Sequence, residues 1–183
     1  LDQHGRDVPA FSWGQLWGTR SLWAILLIRF VSDPVWYFCL FWLPGYLQEN
    51  SGLSLAQVGM VGWIPFLAAD LGGIASAAWS DRMVRKGTSP LLARKRMLTA
   101  VACLAPLCVL TPHFPHPAAT LAIFSLVAIA CLSWLFSLSV VIAESFPARN
   151  VASVLGIAGG FGAAGAAIFN GFVGEMMSSF GPA

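Results

Sequence analysis

Charge is what this sequence has least of. Ten Lys or Arg and eight Asp or Glu make up 10% of its 183 residues, against about a quarter in an ordinary soluble domain. A water-soluble fold of this length needs a polar shell, and a chain that is 57% hydrophobic cannot build one from so few charges. Any excess of one sign is also missing. A net charge of +2 leaves no electrostatic footprint for a nucleic-acid partner. The four cysteines, Cys39, Cys103, Cys108 and Cys131, stand inside apolar runs without metal-ligand spacing, so they read as small hydrophobes rather than a redox or metal set. No nucleophile elbow, phosphate loop or His-Glu-x-x-His is present, so neither enzyme activity nor a cofactor is expected. His113 and His116 are three apart in a proline-rich stretch with no third ligand near, and no metal is expected there. No basic region followed by a short apolar core opens the chain. Its two ends, at Leu1 and Ala183, read as internal cut points.

What the sequence has in quantity is long apolar runs. A bilayer core of about 30 Å takes roughly 17–25 mostly apolar residues per helix, and five stretches qualify: 21–45, 56–79, 96–112, 118–143 and 151–175. Lipid offers no partners to unpaired backbone groups, so helices are the expected form. The runs are continuously apolar rather than alternating, which argues against a membrane barrel. The fold class is therefore all-α, a polytopic membrane helix bundle. Residues 1–20 are expected to be a cytoplasmic segment and 21–183 the bundle. The connections fall at 46–55, 80–95, 113–117 and 144–150, with turns expected over Tyr46–Gly52 and in the proline hairpin Pro112–Pro117.

Chemistry inside such a bundle rests on its few polar side chains. The first span carries Arg29 and Asp33 four residues apart, hence on one helical face, with Trp36, Tyr37, Leu40 and Pro44 continuing the stripe. Arg29 lies about 13 Å inside the nearer edge at 1.5 Å per residue. A charge facing lipid there costs several kcal/mol, so it belongs toward the bundle interior or a wet cavity. Two readings stand: a guanidinium that grips a substrate carboxylate, or a self-neutralising Arg29–Asp33 pair that orients the helix. Asp70 is a lone acid in the second span, either a carrier of a coupling proton or a structural group with local partners. Pro65 is expected to kink that span. Trp134 and Ser137 share a face with Ser133 and Val141 in the fourth span, either lining a cavity or filling core. The fifth span is glycine-dense, with Gly156-x-x-x-Gly160 and Ala158-x-x-x-Gly162 suited to close helix packing, and Asn170 is its only amide.

The order of residues in the second connection, Gly73 … Ser80-Asp81-Arg82 … Arg85-Lys86-Gly87, resembles the cytoplasmic signature of the major facilitator superfamily between helices eight and nine. Glu144-Ser145-Phe146-Pro147-Ala148-Arg149-Asn150 and the glycines after it look like the helix ten to eleven junction. The run from Arg29 through Pro44-Gly45-Tyr46-Leu47 is similar to helix seven of the anion:cation symporters, and among these to bacterial hexuronate transporters; Trp63-Ile64-Pro65-Phe66 and Asp70-Leu71-Gly72 support the same branch.

The resemblance spans the whole chain as helices seven to eleven, without helix twelve and without the N-terminal half. It implies part of a transporter in the bacterial inner membrane that imports a sugar acid such as glucuronate or galacturonate by proton symport and alternating access. Its partners would be a small organic anion, a proton, the lipid bilayer and the missing half. Arg29, Asp33, Trp36, Tyr37, Trp134, Ser137 and Asn170 are then the substrate-binding candidates, Asp70 the proton-coupling candidate, and Asp81, Arg82, Arg85 and Lys86 the gating candidates, with Asp81 placed at a helix end as a latch. Alternatives are a non-transporting membrane scaffold or sensor, and other sugar acids or carboxylates as substrate.

Arg6 and Arg20 precede the first span, Arg82, Arg85, Lys86, Arg94, Lys95 and Arg96 fall in or at the edge of the 80–95 connection, and Arg149 falls near the last. Both intervening connections lack Lys and Arg, and Arg29 alone lies within a span. The positive-inside rule puts the basic side in the cytoplasm. A cysteine introduced at Ser89 should therefore resist impermeant thiol reagents applied outside intact cells, and one at Ser51 should react. Outside labelling of position 89 would reverse the topology.

Overall fold

In the computed structural model, residues 11–114 and 116–180 are described. The remainder of the expected N-terminal segment, including Arg6, together with Pro115 of the proline hairpin and the expected cut at the C-terminus, lies outside the described residues. The described chain forms α1 (Trp13–Gly18), α2 (Arg20–Ser51), α3 (Leu55–Val61), α4 (Ile64–Arg85), α5 (Pro90–Ala102), a 3-10 helix (Ala105–His113), α6 (Pro117–Ser145) and α7 (Ala148–Phe180). No strand occurs among the described residues. Four helical passages are long and apolar enough to cross a membrane: Arg20–Glu49, Leu55–Arg85, Pro117–Ser145 and Ala148–Ser179. The chain is a multi-pass membrane protein.

Helices extend past the apolar windows because backbone bonding continues until a residue stops it. The 32 residues of α2 rise about 48 Å at 1.5 Å each, well beyond the hydrocarbon core. The turn expected at Tyr46–Gly52 is helical through Ser51; the break comes at Gly52, whose φ of +65° suits glycine and few other residues. Ser54 then opens α3 with a capping box, accepting from the Gln57 amide while the Gln57 side chain accepts from the Ser54 amide. The kink expected from Pro65 takes the form of an interruption. The helix breaks at Gly62–Trp63, and α4 restarts with proline in its first turn, where a missing N–H costs nothing.

The expected connection at 80–95 contracts to 86–89. Asp81 accordingly sits inside the last turns of α4 rather than at a helix end. At the close of α4 the Gly87 amide donates to the Val84 carbonyl and the Thr88 amide to the Met83 carbonyl, at 2.9 and 3.0 Å. With Gly87 at φ +92°, this is a Schellman cap.

The third expected span, 96–112, is likewise not a single α-helix. It is built from α5 and the nine-residue 3-10 helix. Pro106 removes the donor that would bond Ala102 and clashes with that carbonyl, so the α-helix ends there. The two pieces together rise about 38 Å at 1.5 and 2.0 Å per residue, enough contour for a bilayer.

The chain packs as two compact units, one of Leu1–Tyr37 with Leu138–Ala183 and one of Phe38–Ser137. In the first, Leu16, Leu22, Ile25 and Leu26 bury against Ile142, Phe146, Val154 and Ala158. Asn150, itself buried, clamps the entry of the described chain: Phe11 N–H donates to Asn150 Oδ1 at 2.8 Å and Asn150 Nδ2 donates to the Phe11 carbonyl at 3.1 Å. In the second unit, Leu43, Leu47 and Val58 pack with Leu53, Leu121 and Phe124, and Met97, Val101 and Ala130 with Met83, Leu98 and Leu104. Here Gly72 and Gly73 of α4 press on Ile129 and Phe136 of α6, where an added Cβ would meet side-chain carbons at 2.5 and 2.7 Å. Large side chains such as Val31, Met60, Ile74 and Ile168 point outward, an apolar surface suited to lipid or protein rather than water.

Candidate functional site

The first unit holds an ion pair largely withdrawn from the surface. Arg29 and Asp33 of α2 meet one turn apart, Arg29 Nη2 to Asp33 Oδ2 at 3.2 Å, with their side chains only 14% and 12% exposed. Ser32 Oγ donates to Asp33 Oδ1 at 3.4 Å. The carboxylate is thus neutralised and held from two sides. The guanidinium is not fully used: Arg29 Nη1 is buried and has no hydrogen-bond partner among the described residues. A buried donor left unmade costs about 1–3 kcal/mol, more when charged.

Helix α7 supplies the opposite wall. Gly162 lies directly on the Asp33 carboxylate, and Gly165 on the Phe30 carbonyl; a Cβ on either would overlap those atoms. The contact at Phe30 has a cause in the sequence. Pro34 has no N–H to give the carbonyl four residues back, so the Phe30 oxygen is available and the glycine Cα can approach it. Only part of the expected glycine packing is used. A Cβ added at Gly156, Gly159 or Gly160 would meet open space, so the Gly156-x-x-x-Gly160 pattern makes no close approach among the described residues, while Ala158 and Gly162 of the second pattern are buried.

Trp36 and Tyr37 follow on α2, half-buried. Asn170, one turn and a half past Gly165, donates from Nδ2 to the Ala166 carbonyl at 2.9 Å. Trp134 and Ser137 lie on α6 in the second unit. Ser137 is buried, and Trp134 Nε1 is buried without a partner among the described residues, as is the hydroxyl of Ser133. Asp70 is exposed on α4 between Ala69, fully buried, and Leu71, exposed. Asp81, Arg82, Arg85 and Lys86 lie in and just after the last turns of α4, all exposed, and Asp81 has no ion pair among the described residues.

Three contributions were not apparent from spacing: the Gly165 contact, the Asn150 clamp and the orphaned Trp134 nitrogen. Pro34 four residues after Phe30 was the available signal for the first. Among the described residues no group of three His, Cys, Asp or Glu gathers as a metal site.

Comparison with known proteins agrees with a membrane carrier. The profile of the Major Facilitator Superfamily matches residues 2–181. The probable galactarate/D-glucarate transporter GarP of Escherichia coli K12 is 33% identical over 81 residues, covering 44% of this chain and 18% of the relative. The hexuronate transporter of the same strain is 33% identical over 92 residues, covering 50% and 21%. The D-galactonate transporter of Escherichia coli O6:H1 is 38% identical over 85 residues, covering 46% and 19%. The matched stretches thus span about a fifth of these relatives' own length.

The glycine contacts make a discriminating pair of substitutions. Gly162→Ala forces a methyl into the Asp33 carboxylate and should destabilise by about 1–3 kcal/mol, the usual cost of overpacking. Gly160→Ala, with open space at the same helix, should be neutral or slightly stabilising because alanine is the better helix former. Thermal unfolding of the full-length protein in detergent compares the two; equal midpoints would show that α7 does not press on Asp33.

Proposed function

The chain belongs to the Major Facilitator Superfamily, and on that premise we propose that it is part of a secondary transporter that imports a sugar acid, with Arg29 as the residue that grips the substrate carboxylate. The observation that carries the reading is the half-used guanidinium. One nitrogen holds Asp33, which compensates the buried charge, and the other is buried and unpartnered. Such a nitrogen suits a carboxylate oxygen, a charge-assisted bond in a low-dielectric setting. The relatives are named for hexuronate, galactarate or D-glucarate, and D-galactonate, which all carry at least one carboxylate on a hydroxylated chain. A hexuronate is the substrate we favour.

Tyr37 and Trp36, on nearly the same face as Arg29, offer a hydroxyl and a ring for the sugar body. Asn170 is the further polar candidate in the same unit; Trp134 and Ser137 belong to the other unit and are candidates in their own right, Trp134 with a buried N–H that has no partner among the described residues. The remainder of the site comes from an N-terminal half outside this chain, consistent with the way such carriers place substrate between repeats near the midplane. Coupling to a proton through Asp70, an N-terminus and 86–89 turn on the cytoplasmic side, and residence in a bacterial inner membrane belong to the same reading.

The rival reading, a purely structural pair, is favoured by the 3.2 Å contact and by the close seat of Gly162 on Asp33. The two readings forecast opposite results for Arg29→Ala combined with Asp33→Ala, which removes both buried charges together. If Arg29 grips substrate, the double variant folds but binds glucuronate on the order of 10–100-fold more weakly, the worth of a charged hydrogen bond. Arg29→Lys should also bind weakly, because it loses the planar fork. Binding on purified full-length protein, with unfolding measured in parallel, decides; near-normal affinity in the double variant rules out the contact.

Alternating access assigns the end of α4 a second role. Asp81 and Arg82 stand exposed in the last turns of α4, where they would latch onto the N-terminal half in one conformation. Asp81→Asn should slow uptake several-fold while glucuronate affinity in detergent stays within about twofold, since a latch biases switching rather than the site. Lost affinity with intact turnover would end the latch idea.

A further inference from the structure

Helix α1 is held more firmly than a connecting segment needs to be. Its entry is fixed by the paired bonds between Asn150 and the Phe11 backbone. Its start carries a capping box, in which the Ser12 amide donates to Gln15 Oε1 and the Gln15 amide to Ser12 Oγ. Its middle is fixed by Leu16, buried in one cluster with Leu22, Ile25 and Leu26 of α2. At its end Thr19 takes an extended conformation, turns the chain into α2 and closes carbonyls that α1 leaves over. The Thr19 hydroxyl donates to the Gln15 carbonyl at 3.0 Å and its amide to the Leu16 carbonyl at 3.1 Å. The Trp23 indole reaches back from α2 and donates to the Trp17 carbonyl at 2.9 Å. The centroids of the Trp17 and Trp23 rings lie 5.6 Å apart.

What α1 turns outward is aromatic. Trp13 and Trp17 lie one turn apart on one face, and both are exposed together with Phe11 and Trp23, Trp13 at 61%. No Asp, Glu, Lys or Arg occurs from Val8 to Thr19. An elbow in water could leave its spare carbonyls to solvent and would have no use for exposed indoles. Side chains that meet the backbone where a helix stops are what a water-poor setting requires. An indole, apolar with a single N–H, is suited to the level where acyl chains meet headgroups. The depth agrees: Trp23 stands three residues past the start of α2, about 5 Å along its axis, and Leu27, Val31 and Val35 continue its outward face in steps of four. Because Leu16 packs with Leu22 and Leu26, α1 folds back beside this first part of α2. We propose that α1 lies in the membrane interface at the N-terminal end of α2, with the indoles of Trp13, Trp17 and Trp23 seated among the glycerol and carbonyl groups of the phospholipid. A protein partner would find no charged side chain on α1 to pair with, and Gln15 is tied up in its own cap. Lipid is the neighbour that the entry of α2 into the bilayer supplies.

The test reads tryptophan fluorescence of the full-length protein in phosphatidylcholine vesicles. Trp13→Phe and Trp17→Phe each keep an aromatic ring, the Leu16 seat and the bond from the Trp23 indole to the backbone of residue 17. The emission that each variant loses is therefore that of one indole. That emission should be quenched strongly when the lipid carries bromine near the headgroup end of its acyl chains, less when bromine lies near the chain ends, and little by aqueous iodide. Strong iodide quenching without a bromine effect would put α1 in water and overturn the proposal. Resistance to both quenchers would put a protein surface over α1 and equally overturn it. Trp13 is the more exposed of the two and lies outside the Leu16 cluster, so Trp13→Phe carries the test alone should Trp17→Phe fail to fold.

Discussion

A charge pair that cannot leave the membrane interior organises the first unit. Once Arg29 is placed about 13 Å along a spanning helix, it needs an acid within reach, and one helical turn supplies Asp33. The pair then dictates what can stand opposite. A carboxylate held at 3.2 Å by the guanidinium leaves room on its far side for a glycine and nothing larger, and Gly162 is found there. Pro34 adds a second constraint by freeing the Phe30 carbonyl, which Gly165 covers. Four residues of α2 and two of α7 thus form one interlocked set. The helix approach, the neutralised acid and the unsatisfied guanidinium nitrogen all follow from it.

The second unit is organised differently, by interruptions. The break at Gly62–Trp63 before Pro65, the change from α to 3-10 geometry at Pro106 and the capped turn at Gly87 each sit where a backbone donor is missing or a positive φ is required. Between these points Gly72 and Gly73 allow α4 to press on α6. A 3-10 stretch of nine residues is long for its kind. Such helices hold poorer hydrogen-bond geometry than α-helices, and here Pro106 is the reason the α form is given up.

How much was readable in advance differed by level. The membrane class, the helical form and four of the passages followed from apolar run length, because the bilayer imposes a thickness and lipid forbids unpaired backbone. Helix ends were less readable. Apolar windows mark where lipid is, whereas helices stop at caps, so the connection expected at 80–95 shrank to four residues and Asp81 moved from a helix end into α4. The Arg29–Asp33 pair was readable because i, i+4 geometry is local. The partial use of the glycine pattern was not, because which side of α7 meets α2 depends on residues more than a hundred positions away.

By itself the sequence determined that the chain is a helical membrane protein with one buried cation, one acid within its reach and a strongly asymmetric set of basic residues. These are properties of composition and of spacing within a single turn, and no folding is needed to read them. Tertiary structure alone decided that the guanidinium keeps a free nitrogen, that Gly162 and Gly165 rather than Gly156 and Gly160 make the close contact, and that Asn150 clamps the backbone of Phe11. Each of those depends on which groups distant in sequence arrive at the same place, and local periodicity carries no information about that.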